Sequence, residues 1–160
     1  MKRLTYAGIS DDNDLHLSVF NERSDDQIIE RTDIFVQPSS HANEPVRLHL
    51  SSDKYHITYS IEAFAIEQHQ KKRLIEIGSL VEIENENETV QQLFDRIKQT
   101  KKDQLVAKRA RLQELLLKKQ WSKEGVLVNE HNQVDDALNN EYAWLMEDIY
   151  ELTNKATADL

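Results

Sequence analysis

The sequence predicts an α+β protein, with an antiparallel sheet first and helices last. Through much of residues 1–86, apolar residues alternate with polar ones at a period of two, which is typical of half-buried strands. From Thr89 onward the apolar residues recur at helical spacing instead. Because the strand pattern comes first and the helix pattern follows it, the sequence argues against a parallel sheet built of βαβ units. The length of 160 residues fits one domain, so we expect residues 1–160 to form a single domain with the sheet in 1–86 and the helices in 87–160.

The overall composition excludes several classes of protein. The chain has a formal net charge of −9, and acidic chains are poor default binders of nucleic acid and of anionic lipid. It has no cysteine, so it forms no disulfides or thiolate metal sites and fits a reducing compartment. The first residues carry no apolar run of the signal-peptide kind, and no window is long enough to span a membrane. By elimination we expect a cytoplasmic protein with no membrane partner.

Three strands are predicted near the start of the chain. They are Lys2–Ile9, Leu15–Phe20 and Ile28–Val36. The alternation is clearest in the second, where Leu15, Leu17 and Val19 alternate with His16 and Ser18. Polar turns at Asp11–Asp14 and Asn21–Asp26 separate them. The strands are therefore expected to pair in chain order as an antiparallel meander.

The centre of the predicted sheet is Tyr55–Ile66, where apolar residues alternate with polar ones. We expect Val46–Leu50 to pair with it through a turn at Ser52–Asp53, because every apolar residue then opposes an apolar one. The next hairpin is predicted to turn at His69–Lys71 and to return through Arg73–Val81, with Arg73 opposite Glu67. These strands bring the expected total to five or six.

This predicted register leaves a second apolar row on the polar face of the sheet. Ile66 directly opposes Leu74 in it, and Phe64 and Leu80 lie on the same side. A patch of that kind needs a cover, either a helix of the same chain or another subunit. Together with Trp144, which lies off the apolar stripe of the last helix, these residues are the interface candidates, and a homo-oligomer is the expected assembly.

Two or three helices are predicted in the second half. Thr89, followed three residues later by Gln92, has the spacing of a capping box and marks a helix start. Residues 98–104 are polar throughout, which leaves open whether residues 89–120 form one helix or two. A last helix is predicted over Gln133–Leu152.

Charge is segregated between these helical segments. Residues 87–120 have nine Lys and Arg against four Asp and Glu, a net charge of +5, whereas residues 121–160 have two against nine, a net charge of −7. Complementary charge favours a hairpin of the last two helices, paired by their opposite signs. The alternative is a nucleic-acid-binding helix over residues 96–119, although the aromatic residues that single strands stack on are absent there. The residues that would contact phosphates are Lys98, Lys101, Lys102, Lys108, Arg109 and Arg111.

Two histidines are the weak candidates for a metal site. His49 faces His56 across the predicted hairpin, and two imidazoles can hold a divalent ion if a third ligand joins them. His16 or Glu62 are examples of such a ligand, but the spacing supplies neither. We therefore predict no metal and no other cofactor, and two surface histidines instead.

No motif in the sequence assigns a catalytic residue. Cysteine is absent, and there is no glycine-rich phosphate loop or nucleophile elbow. The sequence favours a non-enzymatic, cytosolic interaction module that self-associates, such as an adaptor, a holdase or an accessory protein of a phage or mobile element. The alternatives are the nucleic-acid-binding module and a small-ligand binder or enzyme with its site in a cup between sheet and helices.

Overall fold

The structure, a computed structural model, describes residues 3–23, 28–51, 55–117, 121–129 and 131–153. Within these ranges the strands are β1 Arg3–Ile9, β2 Leu15–Arg23, β3 Ile28–Val36, β4 Tyr55–Ser60 and β5 Val81–Glu82. The helices are α1 Pro38–His41, α2 Val46–Leu50, α3 Ile61–Glu76, α4 Val90–Leu117 and α5 Asp136–Leu152.

The five strands form one antiparallel sheet in the order β4-β3-β2-β1-β5. Leu17 of β2 lies opposite Ala7 of β1 and Ile34 of β3, so apolar residues face the same side across the three central strands. The predicted α+β class, with an antiparallel sheet followed by helices, is confirmed. Only the first four strands follow chain order, because β5 pairs with β1 on the far edge.

The predicted register of residues 46–81 is wrong, because helices occupy much of the sequence that was predicted as strands. Val46–Leu50 is α2, and the predicted strand from Tyr55 ends at Ser60, where α3 begins. Ser60 caps α3 by accepting a hydrogen bond from the backbone N–H of Ala63. Ala, Glu, Gln, Lys and Arg dominate the α3 sequence, and these residues favour a helix.

The predicted turn at His69–Lys71 therefore lies inside α3, and the pairing of Ile66 with Leu74 is wrong. The pairing of Val46–Leu50 with the central strand is wrong for the same reason. The turn predicted at Ser52–Asp53 lies outside the described residues.

The sheet is covered by helices on both faces. Leu15, Leu17 and Val19 of β2 lie on one face, which we call the apolar face, and they belong to the main core together with residues of α2 and the first two turns of α4. His16, Ser18 and Phe20 lie on the other, which we call the cleft face. There Phe20 packs in a second cluster that includes Phe64 of α3.

The long helix α4 begins with the predicted capping box. The Gln92 N–H donates to Thr89 Oγ1 at 3.1 Å, and the Thr89 N–H donates to Gln92 Oε1 at 3.0 Å. The polar residues 98–104 do not interrupt the helix, which runs for 28 residues or about 42 Å. The sequence left open whether residues 89–120 form one helix or two. The structure has one helix there as far as Leu117.

Helices α4 and α5 form the predicted hairpin, with opposite charges facing each other. Arg111 of α4 makes a bidentate contact with Glu141 of α5, at 2.5 and 3.0 Å. Lys108 Nζ lies 3.0 Å from Asp148 Oδ2. Among the described residues, no helix combines the length and hydropathy needed to cross a bilayer.

Candidate functional site

A polar cleft of about 310 Å³ lies between the cleft face of the sheet and helices α3, α4 and α5. Its volume is at the lower end of the range for small-molecule sites. Three cations and three carboxylates line it, namely Arg31, Lys71, Lys101, Asp33, Glu67 and Glu151. His16, Ser18 and Ser79 add neutral hydrogen-bonding groups.

Asp33 is the centre of the polar network on the floor of the cleft. Its Oδ1 lies 3.0 Å from His16 Nε2 and accepts a hydrogen bond from Ser18 Oγ at 3.0 Å. Its Oδ2 lies 2.8 Å from Arg31 Nε, close enough for an ion pair but without the alignment of a hydrogen bond. Three groups on two neighbouring strands thus hold a buried carboxylate in one position.

This network contains a serine, a histidine and an aspartate, but it is not arranged as a catalytic triad. In a triad the histidine lies between the other two groups and uses one ring nitrogen for each. Here His16 Nε2 faces Asp33 at 3.0 Å and Ser18 Oγ at 3.4 Å, while Ser18 donates to Asp33 directly. The arrangement positions donors around a carboxylate and provides no relay that would activate Ser18.

Arg31 joins the floor of the cleft to helix α3. Its Nη1 donates to Glu67 Oε1 at 2.6 Å, and its guanidinium carbon lies 5.4 Å from the centre of the Tyr59 ring. A charge-assisted bond of this length between a strand and a helix fixes their separation. Arg31 therefore sets the width of the cleft at this end.

Lys71 extends from α3 into the cleft among aromatic rings. Its Nζ lies 4.0 Å from the centre of the Phe20 ring and 5.4 Å from that of Tyr6. Its contact with Glu67 Oε1 is longer than a hydrogen bond, at 3.8 Å. Burial lowers the pKa of Lys71 from its ordinary 10.5 to about 8, because the protonated form loses hydration, and Glu67 opposes this only in part.

Two further groups that line the cleft are buried. Lys101 of α4 is 1% exposed, and burial lowers the pKa of its ammonium while the charge of Glu151 raises it. The hydroxyl oxygen of Ser79 is buried without a hydrogen-bond partner.

Comparisons with protein-family models, with curated proteins and with solved structures found no match to this chain. Its function is therefore inferred from the chemistry of its own residues.

The interface candidates lie in three different environments. Phe64 and Leu80 pack against the buried cluster of Tyr6, Phe20 and Ile29. Leu74 packs against a third cluster, formed by Ile77, Leu105 and Leu152. Ile66 and Trp144 remain exposed, at 65% and 63%. The structure thus brings Phe64 and Leu80 into one cluster, and the Leu80 N–H donates to the Leu74 carbonyl at 3.1 Å. Ile66 and Trp144 belong to neither cluster.

The basic residues of α4 are also divided. Lys101 is buried in the cleft, and Lys108 and Arg111 face acidic residues of α5. Lys98 Nζ lies 5.4 Å from the centre of the Phe94 ring. Lys102 and Arg109 are exposed on the helix surface.

The two histidine candidates are not partners of each other. His49 lies on α2, whereas His56 lies on β4 opposite Thr32, so the predicted facing pair is wrong. The His56 side chain lies outside the described part of the chain. Of the suggested third ligands, His16 contacts Asp33 in the cleft and Glu62 is exposed in the first turn of α3.

The sequence did not predict the cleft, although four of its lining residues were named for other roles, namely Lys101, Leu74, Leu80 and His16. The signal that existed was the polar side of two adjacent strands, with His16 and Ser18 on β2 and Arg31 and Asp33 on β3. Ser18 lies opposite Asp33 in the β2–β3 register, which the alternation of residues along each strand does not determine by itself. Lys71 carried no signal, because α3 was predicted as strands joined by a turn.

Proposed function

We propose that this chain binds a small anionic molecule, a carboxylate or phosphate of metabolite size, in the polar cleft. The observation that carries the proposal is the position of the Lys71 ammonium, which is held among aromatic rings with its carboxylate contact at 3.8 Å. Removing an ammonium ion from water costs free energy unless an anion close by compensates for it. A bound anion would supply that compensation and would raise the pKa of Lys71 again.

The surrounding groups support the same ligand class. Lys101 and Ser79 line the same cleft, and Lys101 carries a second positive charge there. Arg31 is engaged by Glu67 and Asp33, which leaves it with a positioning role. The ligand would therefore lie toward the Lys71 and Lys101 end of the cleft.

The cleft favours binding over catalysis. Ser18 lacks the geometry of an activated nucleophile, since it donates directly to Asp33. An amine with a pKa of about 8 is mostly protonated at neutral pH, so Lys71 acts there as a cation and not as a nucleophile. A cytoplasmic location is part of the proposal, supported by the absence of cysteine from the sequence.

Binding of defined anions tests the proposal. Inorganic phosphate, pyrophosphate and citrate serve as probes in thermal-shift measurements at low ionic strength, followed by isothermal titration calorimetry. We expect saturable binding of at least one probe, reduced about tenfold or more by Lys71→Met. Lys72→Met is the matched control, because Lys72 is the next residue on α3 and is exposed. Equal affinity in the Lys71→Met and wild-type proteins, or no binding of any probe, would overturn the proposal.

A second candidate function is self-association through the exposed aromatic residues of α5. Trp144 and Tyr150 are 63% and 81% exposed, which is unusual for side chains of this size. The occupant we propose for this surface is a second copy of the chain. Light scattering across a hundredfold range of concentration tests it: Trp144→Glu should lower the mass of an oligomer, and a wild-type protein that stays monomeric would exclude it.

Nucleic acid is not favoured as a partner. Of the six basic residues selected from the sequence, Lys101 is buried and Lys108 and Arg111 face carboxylates of α5. Among these six, all of which the structure describes, only Lys102 and Arg109 are exposed. Phosphate contacts need several accessible cations in a row, and in the described part of this segment, which ends at Leu117, these six residues do not form one.

A further inference from the structure

The short loop between α1 and α2 brings together three side chains that can ligate a metal. They are His41, Glu44 and His49, and one ligand atom from each lies within 4.8 Å of the others. Glu44 Oε2 lies 2.7 Å from His41 Nδ1 and 2.8 Å from His49 Nε2. The two imidazole rings are 5.0 Å apart between centres and nearly perpendicular, and each has a nitrogen directed at the same carboxylate oxygen.

The backbone holds these ligands on a fixed frame. The Glu44 N–H donates to the His41 carbonyl, so the two residues share one tight turn. The Glu44 carbonyl accepts from the Val90 N–H at 2.9 Å, and the Ala42 carbonyl accepts from the Gln91 N–H at 3.1 Å. The loop is thereby attached to the start of the long helix α4.

Helix α2 fixes the third ligand in the same way. Val46 and Leu50 are buried in the main core, which sets the orientation of α2 and of His49 between them. The N–H groups of Val46 and Arg47 donate to the carbonyls of Glu88 and Glu86. The ligand positions are therefore set by core packing and backbone bonds and not by the side chains alone.

The donor set has the chemistry of a transition-metal site. Two imidazole nitrogens and one carboxylate are the protein ligands of one type of zinc site, in which water takes the fourth position. In a tetrahedral site with bonds of about 2.0–2.1 Å, ligand atoms lie about 3.4 Å apart. The separations here begin at 2.7 Å and do not exceed 4.8 Å, so small side-chain rotations suffice.

The cluster is accessible to solvent from one side. His49 is largely covered, whereas the side chains of His41 and Glu44 are 42% and 45% exposed. An ion can therefore reach the cluster from solvent on one side while His49 anchors it from the other.

We propose that His41, Glu44 and His49 bind a divalent transition-metal ion of the zinc type, with water completing the coordination. Nitrogen ligands favour zinc and its neighbours over magnesium or calcium, which prefer oxygen. The cluster lies on the elements that cover the apolar face of the sheet, whereas the anion cleft lies on the cleft face. The metal site is thus independent of the anion-binding function proposed above.

Cobalt and zinc titrations test the site. With Co²⁺ as the probe, we expect one equivalent to bind and to give visible d–d absorption bands of a low-coordinate site. Zinc should displace it and raise the melting temperature. His49→Ala and Glu44→Gln should each weaken Zn²⁺ binding about 100-fold or more, since loss of even an outer-shell partner costs 10–100-fold in affinity.

Matched controls separate this site from other histidines. His69→Ala and His131→Ala alter exposed histidines elsewhere and should bind zinc like the wild type, as should Lys71→Met. Glu44→Gln keeps the shape of the side chain, and circular dichroism with urea unfolding checks that each variant is folded. The proposal would be overturned if neither Co²⁺ nor Zn²⁺ bound stoichiometrically. It would also be overturned if the folded His49→Ala and Glu44→Gln variants bound zinc as tightly as the wild type, and the cluster would then be only a histidine–carboxylate contact.

Discussion

Lys71 Nζ lies 4.0 Å from the centre of the Phe20 ring, which joins helix α3 to strand β2 through an ammonium on an aromatic face. The ring attracts the charge but does not replace the water that burial removes. Glu67, at 3.8 Å, compensates for part of that loss. The balance is unfavourable to the charged amine, and the pKa of Lys71 falls to about 8.

The stability of the protein should therefore depend on pH through Lys71. Between pH 8 and 10.5 the unfolded chain holds a proton that folded Lys71 has released, so the free energy of unfolding rises with pH in this window. Below pH 8 the full penalty of the buried charge is present. The free energy of unfolding of the wild type, relative to that of Lys71→Met, should rise by about 3 kcal/mol across this window. Urea unfolding from pH 7.5 to 10.5 measures the difference.

The comparison with Lys71→Met removes other titrations from this measurement. Burial raises the pKa of Tyr59 to about 12, and above pH 10 that group lowers stability because it ionises more readily in the unfolded chain. Its effect is present in both proteins and cancels in the difference. Lys72→Met should track the wild type at every pH. A difference between wild type and Lys71→Met that stays constant with pH would contradict the buried charge.

Asp33→Asn should destabilise the fold by about 2 kcal/mol or more. The substitution removes the charge that pairs with Arg31 and replaces one carboxylate oxygen by a donor facing groups that also donate. Urea unfolding at pH 7 measures the loss. Asp12→Asn, in the exposed turn after β1, is the control and should stay within about 0.5 kcal/mol of wild type. An Asp33→Asn protein as stable as this control would exclude a structural role for the network.

The sequence predicted those elements whose signals are local. Ile28–Val36 was predicted with the bounds that β3 has, and the Thr89 and Gln92 cap was identified from spacing alone. Helix α3 was missed because it has no fully buried residue among those described, so its apolar residues form no clear helical stripe. The alternation of Tyr55–Ser60 continues by chance into Ile61 and Ala63, which extended the predicted strand.

The cleft was not predictable for a different reason. It exists only because α3 crosses the polar side of β2 and β3, which places Lys71 and Glu67 above Asp33. Glu67 and Lys71 are 34 and 38 positions from Asp33 in the sequence, so no local sequence pattern predicts that they lie close together. The metal cluster is similar: His41, Glu44 and His49 come together because residues 46–50 form a helix, where a strand was expected.

Asp148 of α5 should be the most important acidic residue of the helical part. Its side chain is 13% exposed, accepts a hydrogen bond from Arg73 of α3 at 2.8 Å and lies 3.0 Å from Lys108 of α4. Asp148→Asn removes a charge shared by three helices and should cost about 1–2 kcal/mol, with faster amide exchange in α5. Glu147→Gln is the matched control. Glu147 is exposed, and its contact with Arg73 is longer, at 3.5 Å. Equal stability of the two variants would show that the contacts of Asp148 contribute no more than those of an exposed carboxylate.

Gly78, in the turn after α3, should tolerate no side chain. Its φ angle is +80°, and a Cβ placed on it would lie 2.7 Å from Thr100 Cγ2 on α4. Gly78→Ala should therefore lower the free energy of unfolding by about 2–4 kcal/mol, from backbone strain and overpacking together. Gly125 has nearly the same φ angle, +82°, but open space around it, so Gly125→Ala should cost only the strain, about 1 kcal/mol.

The excess cost at Gly78 can be assigned to the contact with Thr100. Thr100→Ser removes Cγ2 but keeps the hydroxyl that donates to the Arg96 carbonyl at 2.8 Å. In the Gly78→Ala background this second substitution should recover part of the lost stability, because the remaining contacts of the added Cβ are 3.3 Å or longer. In the Gly125→Ala background it should recover none. Urea unfolding of the four proteins and the wild type measures the coupling, and equal effects of Thr100→Ser in both backgrounds would place the strain of Gly78→Ala in the turn and not against α4.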